Sequence, residues 1–139
     1  MKKTYTTKID SETMALGQQL AQECGDSCII YLTGELGAGK TTLVRGFLRA
    51  FGYQGPVKSP TFTIVESYQI ANKQIYHFDL YRVTNPEELE YIGIRDYFID
   101  KAIHLIEWPE KGANILPPAN ITCNIKIINS TREICIQLT

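Results

Sequence analysis

Residues 34–42 of the chain are Gly34-Glu35-Leu36-Gly37-Ala38-Gly39-Lys40-Thr41-Thr42. This spacing fits the pattern G-x-x-x-x-G-K-[ST] of a phosphate-binding P-loop, whose fixed positions here are Gly34, Gly39, Lys40 and Thr41. Glycine permits a left-handed backbone, which lets successive N–H groups point inward at phosphate oxygens. We therefore expect the nine residues to surround the phosphates of a nucleotide.

Two side chains of this loop have predicted roles of their own. Lys40 should reach the β- and γ-phosphates as a point charge, and Thr41 should offer its hydroxyl to Mg²⁺. A helix that begins near Gly39 would direct the positive end of its dipole at the same phosphates. The loop is thus predicted to bind both nucleotide and metal.

The flanking sequence has the order strand, loop, helix that a P-loop requires. Residues 28–32, Cys-Ile-Ile-Tyr-Leu, form a short apolar run that indicates a buried strand. After the loop, apolar residues recur at helical spacing up to Gly52, a typical residue for a helix end. A glycine-rich turn with a surface lysine is the competing interpretation, and this context argues against it.

The bulk composition is that of a soluble globular protein. The 139 residues include 44% hydrophobic and 21% charged residues, and the net charge is −1. This length predicts a single P-loop domain over residues 1–139. Without a basic excess we expect no binding to DNA, and a link to RNA only through a partner or a local patch.

The chain shows no targeting or metal-binding pattern. No apolar run is long enough to span a membrane, and residues 1–6 lead into no signal-peptide core, so a cytoplasmic protein without membrane contact is expected. The four cysteines form no C-x-x-C pair, and only two histidines are present. Reduced, mostly buried thiols are therefore expected rather than a zinc site.

The rest of the pattern predicts helices and hairpins around the P-loop unit. A helix should begin at residues 10–12, which supply its cap and the negative charge of its first turn, and should end near Gly25. A short helix should begin at Asn85-Pro86, with an N-cap and a proline at N1, and close at Gly93. Strands are predicted after Pro60 and over 75–81, 102–106, 121–128 and 134–138, with antiparallel hairpins at both ends of this set. The fold class is α/β, a P-loop NTPase-like sandwich with a mixed parallel and antiparallel sheet flanked by helices.

Two carboxylates stand where a nucleotide-hydrolysing site needs them. Asp79 follows one predicted strand and Glu107 ends another, and strand C-termini in open α/β sheets face the ligand crevice. Either acid could hold Mg²⁺, directly or through water. The alternatives are an exposed residue on an edge strand for Asp79 and a solvated strand end for Glu107.

Four further residues have two possible roles each. Thr61, in Lys58-Ser59-Pro60-Thr61, could belong to a switch loop that offers a hydroxyl to Mg²⁺ or to a simple proline turn. His77 is predicted to pack or hydrogen-bond within its hairpin rather than act as a base. Trp108 could pack in the core or lie beside a nucleotide, and Arg82 could steady phosphates or a partner, or form a surface ion pair.

Six segments together resemble the bacterial TsaE (YjeE) family over nearly the whole chain. They are residues 34–42, 58–61, 77–82 (His-Phe-Asp-Leu-Tyr-Arg), 86–90 (Pro-Glu-Glu-Leu-Glu), 93–97 (Gly-Ile-Arg-Asp-Tyr) and 107–109 (Glu-Trp-Pro). The resemblance implies an ATPase required for threonylcarbamoyladenosine formation in tRNA, next to the anticodon. It also implies ATP or ADP and Mg²⁺ as cofactors, and TsaD and TsaB as partners through which tRNA is contacted indirectly.

The same resemblance assigns roles to individual residues. Thr41 and Glu107 would be magnesium ligands, Asp79 a Walker-B-like acid, and Thr61 the switch hydroxyl, so that the catalytic set is Lys40, Thr61, Asp79 and Glu107. Trp108 would neighbour the site. The family brings its chain ends near the adenine, which makes Asp10 and Arg132 candidates for contacts with base or ribose.

The resemblance implies that the ATPase resets the TsaB–TsaD complex between turnovers, and three other functions compete with this one. One alternative is a nucleotide-sensing module that changes partners without productive turnover. A small-molecule kinase fits less well because the chain has little room for an acceptor pocket and a lid. A GTPase is disfavoured because residues 72–75, Asn-Lys-Gln-Ile, lack the aspartate of a guanine-reading N-K-x-D.

Overall fold

The computed structural model describes all 139 residues, which form seven strands and three α-helices. The strands are β1 (Lys2–Thr7), β2 (Cys28–Thr33), β3 (Val65–Ile70), β4 (Lys73–Asp79), β5 (Ile103–Glu107), β6 (Ile121–Ile128) and β7 (Thr131–Leu138). The helices are α1 (Asp10–Glu23), α2 (Lys40–Ala50) and α3 (Glu87–Tyr91), together with 3₁₀ segments at Ile94–Phe98 and Pro109–Gly112. None of the helices combines the length and apolar character needed to cross a membrane.

The strands form one mixed sheet in the order β1-β7-β6-β2-β5-β4-β3. The central strands are parallel, since β2 pairs with both β5 and β6, and β5 pairs with β4. Antiparallel hairpins extend the sheet at both ends, β3–β4 on one side and β6–β7 with β1 on the other. The predicted α/β fold with a mixed sheet is therefore confirmed.

Both faces of the sheet centre are covered, which explains why its strands are apolar throughout. In β2, Ile30 and Leu32 pack in the core formed with α1 and α2, whereas Ile29 and Tyr31 pack against the core on the opposite face. That second core contains Phe78 and residues of α3 and the first 3₁₀ segment. The predicted helical layers on the sheet are confirmed by this arrangement.

Helices α1 and α2 touch through their backbones at two glycines. A Cβ atom added to Gly46 would lie 2.0 Å from the carbonyl oxygen of Met14, and one added to Gly17 would lie 2.2 Å from the carbonyl oxygen of Leu43. Neither backbone can move aside without moving its helix. This close approach fixes α2, and with it the end of the P-loop, against α1.

Replacing Gly46 with alanine should destabilise the protein by about 2 kcal/mol or more, because over-packing outweighs the gain of up to about 1 kcal/mol in helix propensity. Urea unfolding followed by circular dichroism measures the change. Gly25→Ala is the control, since nothing lies within 4 Å of a Cβ there. An unchanged midpoint for Gly46→Ala would contradict the backbone contact.

Strand β1 was not predicted from the sequence. Its residues Lys2–Thr7 are mostly exposed and pair with β7 only at the edge of the sheet, from Lys2 opposite Gln137 to Thr7 opposite Arg132. An edge strand with one open side has little hydrophobic alternation for a local pattern to detect. The strand nevertheless leads the chain directly into α1.

The predicted cap of α1 is also wrong, whereas that of α3 is confirmed. The residue before α1 is Ile9, which makes no side-chain cap, and Glu12 Oε1 instead accepts from the backbone N–H of Lys8 at 2.6 Å. At α3, Asn85 Oδ1 accepts from the N–H of Glu87 at 3.0 Å. Glu88 Oε2 reaches back to the N–H of Asn85 at 2.8 Å, which completes a capping box and lowers the pKa of Glu88.

Candidate functional site

The P-loop connects the end of β2 to the start of α2 and has the left-handed backbone that its glycines predict. The φ angles of Gly34, Gly37 and Gly39 are 142°, 77° and 112°. At Gly34 a Cβ atom would also lie 2.5 Å from the carbonyl oxygen of Ile125 on β6. Conformation and space therefore both require glycine at the first position of the loop.

Lys40 is a buried cation at the N-terminus of α2. Its Nζ donates to the carbonyl oxygens of Gly34 and Glu35, at 3.0 Å for Glu35, and lies 4.5 Å from the centroid of the Trp108 ring. Burial lowers the pKa of Lys40, an effect opposed by the nearby carboxylates of Glu107 and Asp79. The ammonium group is therefore partly desolvated, which favours direct contact with an anion.

The two predicted acids are neighbours in the sheet. Asp79 ends β4 and Glu107 ends β5, and the two residues are direct partners in the parallel pairing of these strands. Each is only 3% exposed, and β4 lies inside the sheet. Asp79 is therefore not an exposed residue of an edge strand, and Glu107 is not a solvated strand end. Both carboxylates lie at the carboxyl edge of the sheet beside the P-loop.

Glu107 connects the P-loop with β4. Its Oε2 accepts a hydrogen bond from Thr41 Oγ1 at 3.2 Å and contacts His77 Nε2 at 2.6 Å. The residues predicted to bind the metal, Thr41 and Glu107, are thus adjacent. A hydroxyl and carboxylates are the oxygen donors that Mg²⁺ prefers, so the residues present fit this ion.

Asp79 is connected to the loop that precedes β3. Its Oδ2 accepts from the hydroxyls of Ser59 and Thr61, at 3.2 Å for Thr61. The turn that contains Thr61 is closed by a 2.7 Å bond from the N–H of Ile64 to the carbonyl oxygen of Pro60, and the N–H of Asp79 donates to the carbonyl oxygen of Ile64 at 2.8 Å. A proline turn is therefore present, and its hydroxyls contact the predicted Walker-B-like acid.

A cavity of about 480 Å³ collects most of the predicted site residues. Its lining consists of Leu36, Gly37, Ala38, Gly39, Lys40, Thr41, Thr42, Ser59, Thr61, Asp79, Tyr81, Arg82, Glu107 and Trp108. The volume lies within the range of small-molecule sites. Trp108, half-buried with φ 58°, lines this cavity and also packs against the second core, and its ring centroid is 5.0 Å from that of Tyr81.

Asp10 and Arg132 are not part of the cavity lining. Asp10 is exposed in the first turn of α1. Arg132 contacts the P-loop from β7, since its Nε donates to the carbonyl oxygen of Ala38 at 3.0 Å and a terminal nitrogen lies 3.5 Å from that of Gly37. Arg132 therefore supports the loop backbone, and contacts of either residue with base or ribose stay predictions.

The sequence did not indicate a role for Ser59 or the hydrogen-bond partner of His77. No role in the site was predicted for Ser59, although its hydroxyl donates to Asp79 as that of Thr61 does. His77 is fully buried, as expected of a packed residue, but its hydrogen-bond partner is Glu107 on β5 and lies outside its own hairpin. The available signal was the two-residue period of a strand, which places residues 77 and 79 on one face.

Comparison with known proteins gives the same family for the family model and for the relatives with similar sequences. The family model "Threonylcarbamoyl adenosine biosynthesis protein TsaE" matches residues 7–134. The tRNA threonylcarbamoyladenosine biosynthesis protein TsaE of Haemophilus influenzae is 61% identical over 106 residues, which cover 76% of this chain and 67% of that protein. The TsaE protein of Bacillus subtilis is 36% identical over 122 residues, or 88% of this chain and 76% of that protein.

Comparison with solved structures also finds a protein whose fold is similar to that of this chain. The crystal structure of Bacillus subtilis YdiB matches with a TM-score of 0.84 and 29% sequence identity, and the match covers 99% of this chain and 86% of that one. Together with the P-loop geometry, the family and the fold indicate a nucleotide-binding protein. Since the family model spans nearly the whole sequence, the chain belongs to the TsaE family of tRNA threonylcarbamoyladenosine biosynthesis proteins.

Proposed function

We propose that this protein hydrolyses ATP with Mg²⁺ and uses the hydrolysis to reset a TsaB–TsaD complex between turnovers of tRNA modification. The observation that supports this most is the 3.2 Å contact between the P-loop hydroxyl of Thr41 and the carboxylate of Glu107 inside one cavity. A P-loop by itself only binds phosphate. Hydrolysis also needs a carboxylate near the metal, and the contact supports this role for Glu107.

The phosphates would bind through the loop backbone and Lys40. Lys40 Nζ now donates to two loop carbonyls, and phosphate oxygens offer it stronger, charge-assisted bonds at the same end of α2. The helix N-terminus adds further positive potential. Binding would thus exchange hydrogen bonds within the loop for hydrogen bonds to the nucleotide.

Thr41 and Glu107 would hold Mg²⁺. When bound, the ion neutralises the charge that develops on the phosphate oxygens. Asp79 has a different role, because both of its oxygens are already engaged, Oδ2 by Ser59 and Thr61 and Oδ1 by the N–H of Tyr81. We assign Asp79 to holding the 59–64 loop in place and to orienting the attacking water.

The 59–64 loop offers a path from the site to a partner. Phe62 lies in this loop and is 83% exposed, and the guanidinium of Arg82, a residue of the cavity lining, lies 4.4 Å from its ring. Loss of the Asp79–Thr61 contact would move an exposed aromatic side chain on the protein surface. The output of hydrolysis would then be a conformational change in TsaB–TsaD, with tRNA contacted through that complex.

The test is ATP hydrolysis measured for the protein alone and with purified TsaB–TsaD, alongside threonylcarbamoyladenosine formation on tRNA. We expect the partner complex to raise the turnover rate about tenfold, a common size of coupling between sites. Competition with GTP checks the choice of nucleotide. If a non-hydrolysable ATP analogue supports repeated rounds of tRNA modification, the protein is a nucleotide sensor without productive turnover.

A further inference from the structure

His77 lies beneath the site and belongs to neither the P-loop nor the acid pair. It is fully buried on β4, two residues before Asp79, so both side chains are on the face of the sheet that carries the P-loop. Its Nε2 is 2.6 Å from Glu107 Oε2, and its Nδ1 is buried without a hydrogen-bond partner. Its polar contacts therefore go to Glu107 alone.

The chemistry of the two groups sets the direction of this bond. An ionised carboxylate can only accept, so the hydrogen of the contact resides on His77 Nε2. Glu107 Oε2 then takes two hydrogen bonds, one from His77 and one from Thr41 at 3.2 Å. Because Oε1 has no hydrogen bond to the protein, the two donors fix the orientation of the carboxylate and leave one oxygen for a cation.

We propose that His77 is a positioning residue that holds the Glu107 carboxylate in the orientation needed to bind Mg²⁺. The inference rests on the magnesium-dependent function proposed above. Groups that orient a metal ligand commonly contribute tenfold to a hundredfold to metal affinity. His77 does so from a buried position, without touching nucleotide or metal.

The second histidine provides a matched control within the chain. His104 is also buried, on the neighbouring strand β5, but it faces the opposite side of the sheet. Its Nε2 contacts the carbonyl oxygen of Tyr97 at 2.5 Å, its ring stacks on Phe98 at 4.3 Å, and its Nδ1 is likewise unpaired. The two histidines thus differ in one respect that matters here: only His77 contacts a carboxylate of the site.

The experiment compares His77→Leu, which removes the donor, with His77→Gln, whose side-chain amide can still reach Glu107. Mn²⁺ affinity of the ADP-bound protein, measured by electron paramagnetic resonance, reports on the metal without turnover. The Mg²⁺ concentration for half-maximal ATP hydrolysis is the second measurement. We expect His77→Leu to weaken both about tenfold or more, and His77→Gln to stay within about threefold of wild type.

Two controls separate positioning from general damage. His104→Leu should leave the metal dependence unchanged, and ADP affinity in the presence of EDTA should be the same for all variants. If His77→Leu does not fold, His77→Asn replaces it, since its shorter amide does not reach Glu107. Wild-type metal affinity in the folded donor-free variant would overturn the positioning role and leave the proposed function intact. If wild-type protein binds no Mn²⁺ with ADP and hydrolyses no ATP even with TsaB–TsaD, both proposals fail.

Discussion

Lys40→Ala should weaken ATP binding about 10- to 100-fold, since a hydrogen bond to a charged group contributes roughly 1.5–3 kcal/mol. The lysine is 5% exposed, and its Nζ is held at the loop by the carbonyl oxygens of Gly34 and Glu35. Its ammonium group is therefore pre-positioned, and little side-chain entropy is lost when phosphate binds. Isothermal titration calorimetry with ATP and Mg²⁺ measures the change.

A matched surface lysine distinguishes this effect from a loss of net charge. Lys101 is exposed and lies two residues before the start of β5, at the sheet edge opposite the site. Lys101→Ala should bind ATP as wild type does, and both variants should unfold at similar denaturant concentrations. Unchanged ATP affinity in Lys40→Ala would mean that the loop is not the nucleotide site.

The pH dependence of binding provides a second check on Lys40. Burial lowers the pKa of Lys40 from its ordinary value of 10.5, and phosphate oxygens favour the charged form. As the pH rises, Lys40 therefore loses its proton at a lower pH in the free protein than in the complex with ATP. ATP affinity should therefore decrease as the pH rises, and this decrease should begin at a lower pH than the ordinary pKa of lysine would predict. Lys40→Ala should lack this pH dependence.

The local parts of the site could be predicted from the sequence because their positions follow from short-range rules. The P-loop pattern predicts the role of nine consecutive residues. The position of Asp79 and Glu107 at the ends of apolar strands predicts that both face the ligand crevice. Their side-by-side arrangement follows once both strands are parallel neighbours. These features need no knowledge of how distant segments pair.

The missed features depend on long-range pairing. Strand β1 exists only because β7, some 130 residues later, offers it an edge, and His77 finds its acceptor on β5 rather than in its own hairpin. Arg132 likewise supports the P-loop from the far end of the chain, at Ala38. A sequence pattern over a few residues contains no information about such contacts. The residues that line the site could therefore be predicted, whereas the distant residues that hold them in place could not.

Glu107→Gln should reduce ATP turnover about a hundredfold or more, the size of effect seen when a charge-stabilising group is removed from an active site. The substitution keeps the shape of the side chain, and its amide oxygen can still accept from His77 and Thr41. What it removes is the negative charge beside Lys40 and the predicted magnesium site. The loss should therefore appear in turnover and in Mg²⁺ dependence, whereas ADP affinity in EDTA should not fall.

Glu110→Gln is the control for Glu107→Gln, because Glu110 is exposed in the 3₁₀ segment just after the site and does not line the cavity. Removing its charge should leave turnover within about twofold of wild type, as surface charges contribute little.

The decisive measurement is made in the assembled complex, where hydrolysis and tRNA modification are followed together. If Glu107→Gln and Glu107→Ala both retain wild-type hydrolysis and modification there, the ATPase assignment is abandoned. If hydrolysis is lost while modification proceeds over many rounds, the contact between Thr41 and Glu107 serves nucleotide binding alone, and the protein acts on its partners as a sensor of bound nucleotide.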